Sequence, residues 1–347
     1  MDSGDNPSKQ QYRKLLQVTG MIKRLQPWNF MEPEDIVTVR VPNLEEPLYC
    51  LIAGGKESFC VEVYPGHKAY SIRKRLLANY KGQMPSHAYL ARNCLLASYV
   101  AAGGITPTAG AGDDSQWIKF PGTDDWVRYH VQKPGYFATN LTSWQAGIML
   151  CAAQNLYLAA NQIQAGELEV DFNGGETALC YYSEVDKAWL CDCAEFQQPA
   201  IELSLFIVED SGLVEDLNKM RQTRRRLEFD ILYVPVPCLE KHGDRVIAPK
   251  LLLLLSRRST AVAGEYYAEP DEDITEALID LVCKYIFMYG KPLEIYVRDL
   301  VVGSLLADLC KKTGIGLVIG EEMAAMDYYV DVVIEAINEE GIEGFLK

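Results

Sequence analysis

Residues 292–337 read PLEIYVRDLVVGSLLADLCKKTGIGLVIGEEMAAMDYYVDVVIEAI, and their periodicities decide the fold of the second half of the chain. Leu293–Val297 is an apolar run of the length of a short buried strand. Asp299–Lys312 then sets Leu300, Leu305, Leu306 and Leu309 on one helical face. Ile315–Ile319 is a second apolar strand. Glu321–Asn338 spaces Met323, Met326, Val330, Val333, Ile334 and Ile337 as a second amphipathic helix. Strand, helix and strand joined by connections this short imply two parallel strands and a right-handed crossover.

Working upstream, strands are expected at Leu168–Phe172, Leu203–Val208, Leu227–Pro235, Val246–Leu255 and Thr260–Tyr267. A hairpin joins Thr177–Tyr182 to Ala188–Cys193 around Val185-Asp186, and helices run from Ser211 to about Arg224 and from Ile274 to Tyr289. Residues 166–347 are therefore predicted to form an α/β domain with a mixed sheet ending in a parallel βαβα unit. Residues 1–165 read differently. An amphipathic helix over Gln10–Gln26 precedes strands at Ile36–Val41, Leu48–Ile52 and Phe59–Tyr64. Helices at Lys68–Tyr80 and His87–Tyr99 come next, then a Gly-rich loop over Gly103–Asp114 and a hairpin of Trp117–Phe120 with Trp126–Gln132. A long, mostly apolar helix over Thr142–Gln164 closes this half, which makes it an α+β domain with the boundary at Gly166.

A chain of 347 residues is long for one core, so two domains fit its length. The formal charge of −15 argues against a large footprint on nucleic acid and fits a cytoplasmic protein whose partners are small molecules, peptides or proteins. Met1–Lys14 has no apolar signal-peptide core, and the longest apolar run, Leu251–Leu255, is far too short to span a bilayer. The ten cysteines are scattered through apolar segments and read as reduced, buried side chains.

Four constellations could carry chemistry. Ligands in open α/β sheets sit beyond the carboxyl ends of parallel strands, where Glu209, Asp210, Arg298, Asp299, Glu321 and Glu322 are expected. Such carboxylates form the ligand set of a divalent cation, as in a metal-assisted hydrolase or nuclease, but the same residues suit helix caps and first turns. Cys180 falls opposite Cys191, with Cys193 on the same sheet face; three thiols there could ligate zinc or simply pack, and no C-x-x-C pair accompanies them. The basic run Lys219, Arg221, Arg224, Arg225 and Arg226 reads either as a phosphate contact or as cations at a helix carboxyl end. Trp117, Trp126, Tyr129, Tyr136 and Trp144 crowd a short span and suit either ligand recognition or core. No P-loop, dinucleotide fingerprint, nucleophile elbow or H-E-x-x-H motif occurs, and the four histidines are dispersed, which disfavours a Ser–His or Cys–His hydrolase.

Several short patterns occur together. Tyr49-Cys50 precedes a Gly-rich turn, Val63-Tyr64-Pro65-Gly66 closes a hairpin, and Lys133-Pro134-Gly135-Tyr136 leads to a Trp-containing helix. Lys291 to Asp299 (KPLEIYVRD) then comes before Leu305-Leu306 and Gly314-Ile315. In these the chain resembles an uncharacterised family of bacterial proteins with two consecutive domains of unknown function, sometimes fused to small SEC-C-type zinc-binding tails. The resemblance implies fold and bacterial origin and lends no activity. No Cys/His cluster follows Glu335 in these residues, so that zinc is not carried over. The combined expectation is a non-catalytic ligand- or protein-binding or regulatory protein, with the metal-assisted hydrolase as the alternative and the oligomeric state open.

Overall fold

A computed structural model describes residues 5–82, 84–103, 116–234, 238–242 and 245–345, with the backbone alone at 86, 238–242 and 337–345. The chain divides into two compact units, residues 1–74 with 92–200, and residues 75–91 with 201–347.

The first unit begins with α1 (Lys9–Leu25), whose Ser8 and Gln11 form a reciprocal capping box. Three antiparallel strands follow, β1 (Val37–Arg40), β2 (Leu48–Gly54) and β3 (Ser58–Pro65), then α2 (Gly66–Asn79), within which the division between units falls. Strands β4 (Cys94–Val100), β5 (Trp117–Lys119), β6 (Trp126–Gln132) and β7 (Thr139–Asn140) lead to α3 (Ser143–Ala165). A second capping box at Thr142 and Gln145 starts α3, and Gly166 at φ 70° ends it, a left-handed cap that glycine adopts without steric cost. The hairpin β8 (Glu176–Ser183) and β9 (Ala188–Glu195) completes a nine-stranded sheet, ordered β5-β6-β4-β3-β2-β1-β8-β9, with β7 on β6. Every pair is antiparallel except β1 with β8. One core packs α1 and α3 on the sheet through Leu15, Ile22, Val61, Met149 and Leu156; a smaller one joins Tyr49, Tyr64 and Tyr70.

Beyond residues 75–91, the second unit opens with α4 (Ser211–Lys219). Strand β10 (Arg226–Tyr233) follows, then the small pair β11 (Cys238–His242) and β12 (Arg245–Ile247), then β13 (Lys250–Ser256) and β14 (Val262–Ala268). After α5 (Thr275–Tyr289) come β15 (Glu294–Val297), α6 (Leu300–Thr313), β16 (Gly316–Ile319) and α7 (Ala324–Phe345). The five-stranded order is β14-β13-β10-β15-β16, with β10, β15 and β16 mutually parallel and the other two pairs antiparallel. This is the expected mixed sheet ending in a parallel βαβα unit. Leu227, Phe229, Ile295 and Val297 bury one face under α4, α5 and α6, and Leu251, Leu253, Met323 and Met326 bury the other under α7.

Several expectations are corrected. His87–Tyr99 is a 3-10 turn over Ser86–Ala91 followed by β4, because residues 94–100 are paired on both edges, with β3 and with β6. Leu168–Phe172 is irregular rather than a strand, with a turn starting at Phe172. Leu203–Val208 joins no ladder and is tied to α6 instead, where Ser304 Oγ donates to Ser204 O and Asp308 accepts from Val208 N–H. The helix from Ser211 stops at Lys219, five residues short of Arg224. Against a boundary expected at Gly166, the hairpin 176–195 pairs with β1 and falls in the first unit, and residues 75–91 fall in the second. Cys180 and Cys191 are joined as a disulfide, where thiols were expected; as opposed residues of one hairpin their Cα atoms lie 4.1 Å apart, close enough to bridge. From residue 104 on, the Gly-rich loop lies outside the described residues.

Candidate functional site

In the second unit β10 leads to β13 on one side and β15 leads to β16 on the other, so the strand order reverses between β10 and β15. Ligands of open α/β sheets favour the carboxyl end of such a junction. Arg298, the residue after β15, lies there. Its Nε donates to Asp230 Oδ2 of β10 at 3.2 Å, a second guanidinium nitrogen donates to Asp327 of α7, and its carbon lies 4.6 Å from the Tyr80 ring centroid. Burial works against the guanidinium charge, but Asp230 and Asp327 outweigh it and raise its pKa. Asp230 is 5 % exposed, and burial pushes its carboxyl up to about 6 despite Arg298. Tyr80 also meets His87 Nε2 at 3.2 Å; burial, then Arg298, holds that imidazole down at about 4 and so neutral.

Asp299 caps α6, accepting the Val301 N–H at 2.7 Å, and its other oxygen faces Arg75 Nε at 3.0 Å and Asn79 Nδ2 at 2.9 Å. The remaining expected carboxylates are elsewhere. Glu321 and Glu322 are exposed, Glu322 paired with Lys81. Asp210 caps α4, and the segment before it runs alongside α6 from Ser304 to Asp308. At 1.5 Å per residue that carries Glu209 and Asp210 about 14 Å along the helix from Asp299. Among the described residues no group of three or more His, Cys, Asp or Glu could hold a metal ion. Asp230 was missed in the sequence, although Glu228 and Asp230 alternate with Leu227, Phe229 and Ile231 in β10 and so mark a charged row on a buried face.

The zinc constellation is also altered. Cys180 and Cys191 bond to each other, and Cys193 is exposed beside Glu176, which raises its thiol pKa to about 11. The aromatic set divides. Tyr129 faces the main core with its hydroxyl 2.8 Å from Thr19 Oγ1, whereas Trp126 and Arg128, by strand alternation, face the other way, with Trp117 stacked 4.9 Å from Arg128. Tyr136 is buried, Trp117 and Trp126 are half-buried, and Trp144 is 49 % exposed on the first turn of α3. The five side chains do not form one surface.

The basic run has a setting its sequence did not suggest. Arg221–Arg226 is extended rather than helical, so beyond Lys219 the run does not sit on the last turn of α4. Residues 221–225 are pinned to the segment after α5: Lys291 N–H donates to Arg221 O, Thr223 N–H to Lys291 O, and Leu293 N–H to Arg225 O. Gly290 at φ 91° makes the approach, since a Cβ there would lie 2.7 Å from Arg221 O. Opposite stands the β13–β14 turn with Arg257 and Arg258. Between them lies a depression of about 1230 Å³, lined by Arg221, Arg224, Arg225, Arg226, Arg257 and Arg258 together with Tyr289 and Tyr296, and by no carboxylate. Arg226 pairs with Glu294 at 2.6 Å, and Arg257 reaches the buried Glu228 at 3.7 Å while stacking 3.7 Å from the Tyr296 centroid.

These features define a two-domain protein, α+β followed by α/β, whose second domain holds an arginine-clamped strand junction at one end of its sheet and an arginine-lined depression at the other. The chain carries the two consecutive domains of an uncharacterised family: residues 12–179 match the model Domain of unknown function (DUF7309) and residues 213–333 match Domain of unknown function (DUF6930). No curated protein matches it. Among solved structures it is similar to the HTLV-2 integrase catalytic core domain in complex with magnesium (dimeric form), at 13% identity over 35% of this chain and 74% of that chain. The TM-score is 0.25. No helix among the described residues is long and apolar enough to cross a membrane.

Proposed function

We propose that the protein is a cytoplasmic binding or regulatory protein that performs no chemistry of its own, taking a small molecule or peptide on its second unit. The observation that carries this reading is the occupation of the strand junction. A divalent cation there would have to displace Arg298 from Asp230, and Arg75, Asn79 and the α6 cap from Asp299. Catalytic metal sites keep an open position and ligands free to take the ion. Here each carboxylate already serves a cation or a backbone N–H.

The alternative is a metal-assisted hydrolase or nuclease, favoured by one fact: Asp230 and Asp299 flank Arg298 at the end of the sheet where α/β enzymes place their sites. Incubating the full chain with Mg²⁺ or Mn²⁺ and phosphodiester and phosphomonoester substrates separates the two. The binding reading expects no turnover above that of Asp230→Asn and Asp299→Asn variants. Turnover in the wild type that Asp299→Asn abolishes would establish the hydrolase instead.

A further inference from the structure

We propose that the arginine-lined depression at the amino ends of β10 and β15 binds a small molecule bearing a di- or triphosphate chain. The inference rests on the binding reading above and names its ligand. Six guanidiniums line the depression, in a chain whose formal charge is −15. Only two of them have carboxylate partners, Arg226 with Glu294 and Arg257 with Glu228. Arg221, Arg224 and Arg258 make no ion pair among the described residues, and neither does Arg225, which lies beside the Tyr285 hydroxyl and 5.4 Å from the Tyr289 ring centroid. Four cations are left without a counter-charge. The carboxyl end of α5 offsets about half of one.

Arginine does not relieve such crowding by losing a proton, because its pKa lies above about 12. The crowding is therefore a standing repulsion that an anion removes. A single carboxylate or monophosphate would leave most of it, whereas a triphosphate carries three to four negative charges, and guanidinium forks meet phosphate oxygens two at a time. The site is also built. Main-chain hydrogen bonds from Lys291 and Leu293 fix the backbone of residues 221–225, and the Arg257 side chain is held between Glu228 and the Tyr296 ring, with its Nη1 buried and making no hydrogen bond. At about 1230 Å³ the space admits a nucleotide-sized ligand, and Tyr289, 43 % exposed, offers a ring for a base to stack on. The acidic remainder of the chain repels a long polyanion, which favours a compact phosphate chain over a nucleic-acid strand.

Calorimetric titration of the full chain with inorganic triphosphate, ATP, AMP and adenosine, at about 0.15 M salt, tests the proposal. Saturable binding of both triphosphate species is expected, with AMP at least tenfold weaker. Equal affinity for triphosphate and ATP would trace the ligand to inorganic polyphosphate, and tighter ATP to a nucleotide; either supports the shared chemistry. Arg224→Ala with Arg258→Ala, both exposed and outside any ion pair, should weaken binding at least tenfold. Lys219→Ala, paired with Asp216 on α4, should not change it. Absence of saturable binding by either triphosphate overturns the proposal, as does unchanged affinity in the double variant. Binding of a short oligonucleotide that neither triphosphate displaces also overturns it. None of these outcomes decides the turnover experiment above, so this site and the non-catalytic reading fail separately.

Discussion

Arg298 and Asp230 form an ion pair across the one junction of the second sheet where strand order reverses, both side chains about 8 % exposed, with Nε donating to Oδ2 at 3.2 Å. Removing one partner strands the other. Arg298→Ala should cost about 3–5 kcal/mol in urea unfolding, and Arg298→Ala with Asp230→Ala clearly less than the sum of the single changes. Additive losses would show that the two side chains act independently.

Asp230 also makes stability depend on pH. Its folded pKa, about 6, lies above its ordinary value near 3.8, so the folded state holds the proton more tightly than the unfolded one. The stabilisation this gives is full below about pH 4 and lost as pH rises through 6, at most about 3 kcal/mol. Stability profiles of wild type and Asp230→Asn should therefore diverge over that interval and run parallel above it. Parallel profiles throughout would place the carboxyl in an ordinary environment.

His87 acts with the opposite sign. Held neutral at about 4 against 6.5 when unfolded, it stabilises the fold above about pH 6.5, and that contribution is lost as pH falls through 4. An NMR titration should show the His87 ring protons unchanged from pH 8 down to about 5. A midpoint near 6.5 would contradict the burial.

The Cys180–Cys191 bridge should contribute about 2–4 kcal/mol. Dithiothreitol should lower the unfolding midpoint of the wild type and leave Cys191→Ser unchanged. Without reductant, an alkylating reagent should label the exposed Cys193 before the other free cysteines among the described residues.

Gly290→Ala should destabilise by more than about 1 kcal/mol, because its φ of 91° disfavours a side chain and the new Cβ would press on Arg221 O. It should also weaken triphosphate binding, by displacing the segment that carries four of the six arginines. Intact affinity in a folded variant would uncouple that segment from the depression.

The architecture of residues 292–337 was legible because its strand and helix positions are carried by apolar residues, and Leu305, Leu306, Leu309, Met323, Met326 and Val330 are buried as that spacing requires, while Leu293, Leu300 and Ile319 are exposed. His87–Tyr99 is ambiguous in sequence because Leu90, Leu95, Leu96 and Tyr99 suit either a helix face or a strand, and pairing with β3 and β6 decides it. Arg298 and Asp299 were legible through the rule for strand ends, whereas Tyr80, Asn79 and Arg75 were not. They lie some 220 residues from Asp299, and no local pattern announces so distant a partner. Arg221–Arg226 was visible as charge, with a phosphate contact and a helix end both open, but its depression was not, since the turn bearing Arg257 and Arg258 faces it only after β10 and β13 have paired.

The parallel ladder between β1 and β8 has a bearing on synthesis of the chain. Thr177 Oγ1 donates to the carbonyl of Ile36, 141 residues earlier, so β1 keeps an unpaired edge until more than half of the polypeptide has left the ribosome. Contacts that distant in sequence close slowly, and a bare apolar strand edge recruits other strands in the interval. A nascent chain stalled or truncated near residue 165 would hold α1, α3 and seven strands with that edge open. Self-association, rather than a soluble amino-terminal fragment, is the behaviour such a product should show.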